Sequence, residues 1–276
     1  MVSGDVVNYS KEMHLYHHPF SLDSQKVRLA LEEKSIDYVS HKMNPLKGRN
    51  LDLDFFRMNP TGKIPVFKNG DIIIFDTLTI VEYIDGINEP LGGNDVDHRR
   101  MLAWMQKIDE WNPKLFTLSN IPQKYILFFS RFKRQVAIAR MSQSPDLADK
   151  YHLKLRGAYA TEEQLKDEDA VNESTEKLAI LLDDAETQLA ESKFLAGEKF
   201  SMADAMFVPI LARIELLNKE NEYIGIRTHL LDYWNRVKER PSYGAVIGKY
   251  FSGWRKYKSL LSTYTSVWIR NVFKRY

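Results

Sequence analysis

The sequence predicts a small mixed α/β domain followed by an all-helical one. Three observations carry this expectation. From His14 to Gly86, runs of strand length alternate with helical stretches. Within that stretch an Asn69-Gly70 pair joins two β-branched runs as a hairpin turn would. Beyond Pro90 the apolar residues repeat at three and four, the spacing of amphipathic helices. The 276 residues suffice for two ordinary domains. With 44% apolar and 28% charged residues the chain can bury a core, which excludes fibrous and wholly disordered classes.

In chain order, His14–His17 begins a strand, and Ser24–Glu33 sets Val27, Leu29, Ala30 and Leu31 on one helical side. Asp37–Met43 alternates as a second strand, and Asn44–Asn59 is polar and loop-forming up to Asn59-Pro60. Ile64–Phe67 and Ile72–Phe75 flank the hairpin turn. Asp76-Thr77 then caps a helix through Ile80, Val81, Tyr83 and Ile84. Pro90 and Gly92-Gly93 mark a linker within residues 88–97. Met101, Trp104, Met105, Ile108, Trp111 and Leu115 give one amphipathic helix, and Tyr125–Met141 a second. Seven acids against one lysine in Thr161–Glu176 indicate a solvated helix or loop. Leu178–Leu189 is helical, Ser201-x-x-Asp204 has the spacing of a capping box, and Ala205–Leu217 is apolar all round, as a buried central helix is. The expected partition is an extension at 1–12, an α/β domain at 13–87, a helical domain at 98–248 and a distinct tail at 249–276.

The chain has no cysteine, so disulfides, zinc-thiolate sites, iron–sulfur clusters and a protein thiol nucleophile are all excluded. No metal-ligand spacing occurs either, so no metal is expected. No apolar run reaches the length of a spanning helix. Met1–Glu12 lacks the basic and apolar regions of a secretion signal, so the expected location is the cytoplasm or a cytosolic membrane face.

Four elements in register make a resemblance specific: Leu15–Leu31 with its His17-His18-Pro19-Phe20-Ser21 loop, Asn59-Pro60 with Lys63-Ile64-Pro65, Asp76-Thr77, and Phe200-Ser201-x-x-Asp204. Their order and spacing resemble those of a cytosolic glutathione transferase over residues 13–248. The His17–Lys34 and Phe55–Pro60 segments, with the Arg240-Pro241-Ser242-Tyr243 and Tyr250–Tyr257 close, look like the plant class named after tetrachlorohydroquinone dehalogenase. The resemblance implies a thioredoxin-like N-terminal domain packed on an all-helical C-terminal domain, a homodimer, and glutathione as co-substrate.

Free glutathione is a thiol of ordinary pKa, ~8.5, so at neutral pH little of it is the nucleophilic thiolate. Lowering that value by about two units requires ~2.7 kcal/mol, within reach of a charge-assisted hydrogen bond at a helix N-terminus. Ser21 matches the family's catalytic serine, and Ser24, one turn on, is read as the helix cap. Ile64-Pro65 matches the family's cis-proline step, through which the backbone of Ile64 meets the cysteinyl unit. Asp76 and Thr77 match the pair holding the γ-glutamyl end, with plain capping as their other role. For the glycyl carboxylate the candidates are Lys63 and Asn50. The second substrate implied is a small hydrophobic electrophile or a hydroperoxide. Related classes, and the bacterial dehalogenase, use a cysteine, which this chain lacks, so chemistry through an enzyme mixed disulfide is not expected. A carrier of hydrophobic ligands without turnover is the alternative reading.

Eight Lys or Arg follow Glu239, the last acid, so the +2 net charge has its basic excess in the tail. On a helical wheel Trp254, Tyr257, Leu260, Leu261, Tyr264, Val267, Trp268 and Val272 share one side, with Arg255, Lys256, Arg270 and Lys274 opposite. This fits a helix lying on an anionic membrane surface and equally a final helix packed on the domain. Nucleic acid is not an expected partner, because no recognition motif accompanies the basic residues.

Overall fold

Alternation in Met13–His17 (β1) turns Leu15 and His17 into the core. β1 pairs in parallel with Val39–Lys42 (β2) and antiparallel with Val66–Asn69 (β3), which pairs antiparallel with Ile72–Ile74 (β4). The sheet order is therefore β2-β1-β3-β4. The structure, a computed structural model, describes residues 12–276 except for the Lys256 side chain. Apart from Glu12, the extension assigned to 1–12 lies outside the described residues. At the hairpin Gly70 has φ 60°, a left-handed conformation that glycine takes without a steric cost.

Helices Leu22–Glu33 (α1) and Thr77–Asp85 (α3) stand where the apolar spacing puts them. Between them, part of the segment read as loop is helical: Leu53–Met58 (α2) follows short 3-10 turns at Pro45–Lys47 and Arg49–Leu51. Six residues are too few to show a period, yet Phe55 and Phe56 need burial, and Phe56 stacks on Tyr151 with ring centres 4.1 Å apart.

The second half is helical: His98–Glu110 (α4), Pro113–Ser119 (α5), Gln123–Gln143 (α6), Ala148–Gln164 (α7), Glu168–Glu191 (α8), Met202–Leu216 (α9), Glu220–Tyr223 (α10), Thr228–Lys238 (α11), Pro241–Tyr243 (α12), Lys249–Phe251 (α13) and Gly253–Val272 (α14). The single helix expected from Met101 to Leu115 is broken. Trp111 is extended, and Asn112 accepts from the Lys114 N–H at 3.0 Å to cap a new helix opening on Pro113. The acidic 161–176 segment is the end of α7 and the start of α8, capped by Asp167.

The central helix is α9, with almost every side chain buried. Its Asp204 is fully buried and accepts from Ser201 N and Oγ at 2.8 Å, Leu195 N at 3.1 Å and the Tyr233 hydroxyl at 2.9 Å. α1 packs along α9, so one apolar core runs from Leu15 in β1 to Ile247. Across the same junction Arg28 donates to the carbonyl of Val246 at 3.1 Å, and Arg240 grips both Glu33 oxygens at 2.7 and 2.6 Å.

α14 packs one side on the domain and leaves another in solvent. Thr263 and Val267 are buried, Asn44 donates to the Thr263 hydroxyl at 3.1 Å, and Arg270 donates to the carbonyl of Lys47 at 2.6 Å. The other side of the helix leaves Trp254 72% and Trp268 52% exposed, with Leu261, Val272 and Phe273 also in solvent.

His17 is a titratable group inside the sheet domain, 1% exposed, with Nε2 2.7 Å from the Ser40 hydroxyl. Desolvation, and then the charges of Arg28, His18, Lys42 and His41, push it from 6.5 to about 3. The unfolded chain therefore takes up a proton below pH 6.5 that the folded chain refuses until about pH 3, and stability falls as pH falls through that window. At pH 5 this amounts to about 2 kcal/mol. Denaturant unfolding at pH 7 and pH 5 should show His17→Asn losing about 2 kcal/mol less on acidification than the wild type. Equal losses in the two proteins would contradict this account of His17.

Candidate active site

β1 ends at His17 and α1 starts at Leu22, so a four-residue loop, His18 to Ser21, crosses from sheet to helix. Ser21 is the cap: its backbone is extended and its Oγ accepts from the Ser24 N–H at 3.3 Å. This corrects the assignment of the cap to Ser24. Ser24 sits inside the first turn, fully buried, accepting from the His18 N–H at 3.3 Å. Capping leaves the chemistry of Ser21 open, because a hydroxyl that accepts through a lone pair keeps its own proton to donate. The partial positive charge of the α1 N-terminus lies at the same place.

Three contacts hold the loop. Gln25 donates to the Pro19 carbonyl at 2.7 Å, Arg213 of α9 donates to the Phe20 carbonyl at 2.6 Å, and Phe20 stacks on Phe251 at 5.4 Å. Desolvation draws Arg213 down to about 10, with Asp23 opposing, so it remains a cation at neutral pH. Arg213 is not among the residues that the sequence motifs single out. The available signal was an arginine following the apolar run Ala205–Ala212, a position that calls for a specific acceptor.

The sequence-predicted residues Lys63, Ile64 and Pro65 lie in the turn before β3. Ile64-Pro65 is a cis peptide. Fully buried Asn59 organises the approach, accepting from Thr61 N at 3.1 Å and its hydroxyl at 2.7 Å, and donating to the Lys63 carbonyl at 2.9 Å. The Lys63 side chain is exposed. Asn50 is buried and donates to the Gly62 carbonyl at 2.6 Å, while its Oδ1 is buried without a partner. That oxygen is an acceptor lacking a donor, so it suits an N–H better than a carboxylate.

Asp76 and Thr77 stand at the start of α3. Asp76 caps it, accepting from Thr79 N at 2.9 Å and Thr79 Oγ1 at 2.8 Å, and Thr77 is its first residue, half-buried. Asp109 on α4 reports what converges there. Its carboxyl is raised chiefly by desolvation, further by Asp76 and Asp23, and is pulled back by Lys26 and Lys63. Charges on Lys26, Asp76, Asp23 and Lys63 thus lie close enough to act on Asp109.

Other aromatic and imidazole groups have structural places. Trp104, Met105 and Trp111 are core, and Tyr125 is exposed against Tyr264. Burial, reinforced by Lys47, lowers His18 to about 4, so it is neutral at pH 7.

Residues 11–86 match the family model described as glutathione S-transferase, N-terminal domain, and residues 147–241 match glutathione S-transferase, C-terminal domain. The chain is 53% identical over 266 residues to the Arabidopsis thaliana glutathione S-transferase TCHQD, covering 96% of this chain and 100% of that one. It is 30% identical to a tetrachloro-p-hydroquinone reductive dehalogenase of Sphingobium chlorophenolicum, over 84% of this chain and 94% of that one. Among solved structures, glutathione transferase F7 of Populus trichocarpa superposes with a TM-score of 0.60 at 22% identity, covering 87% of this chain and all of the other, a likeness of fold.

Proposed function

The chain belongs to the glutathione S-transferase family, and we propose that it activates the glutathione thiol with the Ser21 hydroxyl for conjugation to a small electrophile or for reduction of a hydroperoxide. One observation carries this reading: Ser21 caps α1 through a lone pair and keeps its proton to donate at a helix N-terminus, in a chain without cysteine.

In the proposed step, the thiol proton leaves to solvent and the sulfur stays as an anion, accepting the Ser21 hydrogen bond near the α1 dipole. The sulfur pair then forms a bond to the electrophilic carbon as the leaving group departs with its electrons, or attacks a peroxide oxygen to release an alkoxide. The backbone of Ile64 at the cis step would pair with the cysteinyl unit as an added strand does. Thr77 and the amides opening α3 would take the γ-glutamyl carboxylate and Asp76 its ammonium. Lys63 would hold the glycyl carboxylate, and Asn50 Oδ1 would accept an amide N–H. The unpartnered Oδ1 supports this role for Asn50.

The relative from Sphingobium is named a reductive dehalogenase. A route through an enzyme mixed disulfide is not proposed here, since this chain has no thiol. A homodimer is proposed on the pattern of the family, and the exposed Ile72, Ile73 and Phe75 beside the sheet edge supply an apolar face for it.

Ser21→Ala should lose most turnover with a standard electrophile while still binding glutathione, at a cost of about 1 kcal/mol in stability for the lost cap. Full activity in Ser21→Ala beside an inactive, folded Ser24→Ala would assign the role to Ser24. Glutathione binding with no rate on electrophiles or peroxides in the wild type would favour a carrier.

For the tail we propose a peripheral contact with anionic membrane on the cytosolic side. Supporting it are the exposed Trp254 and Trp268 and the uncountered basic residues of α14. No described helix is long and apolar enough to cross a membrane. Full-length protein should sediment with phosphatidylserine vesicles at low salt. Trp254→Ser/Trp268→Ser, which leaves the buried Val267 in place, should sediment several-fold less, and equal pelleting would remove the membrane proposal.

A further inference from the structure

Between the Gly62 turn and helices α5, α6 and α7 lies a cavity of about 310 Å3. Its wall carries Lys114 from α5, Lys133 from α6 and Lys154 from α7. Arg134 also reaches it, but that charge is balanced by Glu162. Among the described residues no carboxylate pairs with any of the three lysines, and Lys114 has only the Thr161 hydroxyl as acceptor. Burial first holds all three below the ordinary amine value, and neighbouring lysines add to it, Lys63 acting on Lys114 and Lys114 on Lys133. Lys154 is brought down to about 8 by burial together with Lys133, Lys63 and Lys114. Three like charges around one cavity repel, and the counter-charge that would relieve them is not supplied by the described protein.

The cavity borders the Gly62–Lys63 turn that the proposed function assigns to glutathione. The stem of Lys154 runs against Gly62, where a side-chain carbon would meet Lys154 Cε at 3.1 Å, and the next residue is Lys63. Leu51, Ala137 and Leu153 add apolar surface beside the ammonium groups. Such a lining suits a small organic anion whose carbon body rests on the apolar side while its charge meets the lysines.

We propose that this cavity binds the anionic group, a carboxylate or phosphate, of the second substrate, through Lys114, Lys133 and Lys154. The inference rests on the transferase reading for the meaning of second substrate, but binding itself is tested without turnover. The matched probes are 4-chloro-3-nitrobenzoate and its methyl ester, titrated calorimetrically into full-length protein saturated with S-methylglutathione, which cannot react.

The acid should bind at least tenfold more tightly than the ester. Lys133→Gln/Lys154→Gln should abolish that preference while changing affinity for S-methylglutathione less than twofold, and Lys133→Arg/Lys154→Arg should restore it. Equal binding of acid and ester, or a preference that survives the Gln variant, overturns the proposal. So does a Gln variant that instead loses S-methylglutathione, because the lysines would then serve the tripeptide's own carboxylate. If S-methylglutathione does not bind at all but the acid preference appears and depends on the lysines, the anion site stands and the transferase reading falls.

Discussion

A serine hydroxyl has one proton and two lone pairs, and the direction of that proton at Ser21 is the constraint on which the functional account depends. The Ser24 N–H occupies a lone pair at 3.3 Å, so the proton stays free for an acceptor outside the helix. The first-turn amides of α1 make the same spot favourable for negative charge. These conditions hold only if the loop before α1 keeps its shape, and most of the surrounding structure can be read as maintaining it. Gln25 and Ser24 fix the loop from the helix side, and Arg213 fixes it from α9.

The contact between α1 and α9 therefore does more than join two layers. α9 is anchored by the four bonds to buried Asp204, which start the helix at Met202 and set the height at which Arg213 meets the Phe20 carbonyl. Arg28 and the Arg240–Glu33 pair tie the far end of α1 to the segment after α11. Ions this well partnered contribute more to orientation than to net stability, since their desolvation offsets much of the attraction. The result is a seat for Ser21 held from both helices, with Lys26, Asp76, Asp23 and Lys63 close enough to act on Asp109.

Much of this was legible in the sequence because it is written in local pattern. The β-branched runs around Asn69-Gly70, the cap at Asp76 and the Ser201-x-x-Asp204 box need only neighbouring residues, and each forms as read. Three things resisted. The start of α1 could be placed at either of two serines three residues apart, and only the backbone shows that Ser21 caps and Ser24 is buried. Asn112-Pro113 carried a cap signal that continued apolar spacing to Leu115 masked, while α2 was too short for any period to appear. Lys114, Lys133 and Lys154 look like ordinary solvated lysines until three helices bring them to one cavity, which no local pattern encodes.

The central claim is that a ligand's sulfur is held as an anion by the Ser21 hydroxyl. The direct measurement is the ultraviolet absorbance of the thiolate, titrated against pH with glutathione bound to wild-type protein and to Ser21→Ala. The account predicts a bound thiol about two units below its solution value of ~8.5 in the wild type, returning most of the way in the variant. A bound thiol that titrates at its solution value, or at the same lowered value in both proteins, would contradict it.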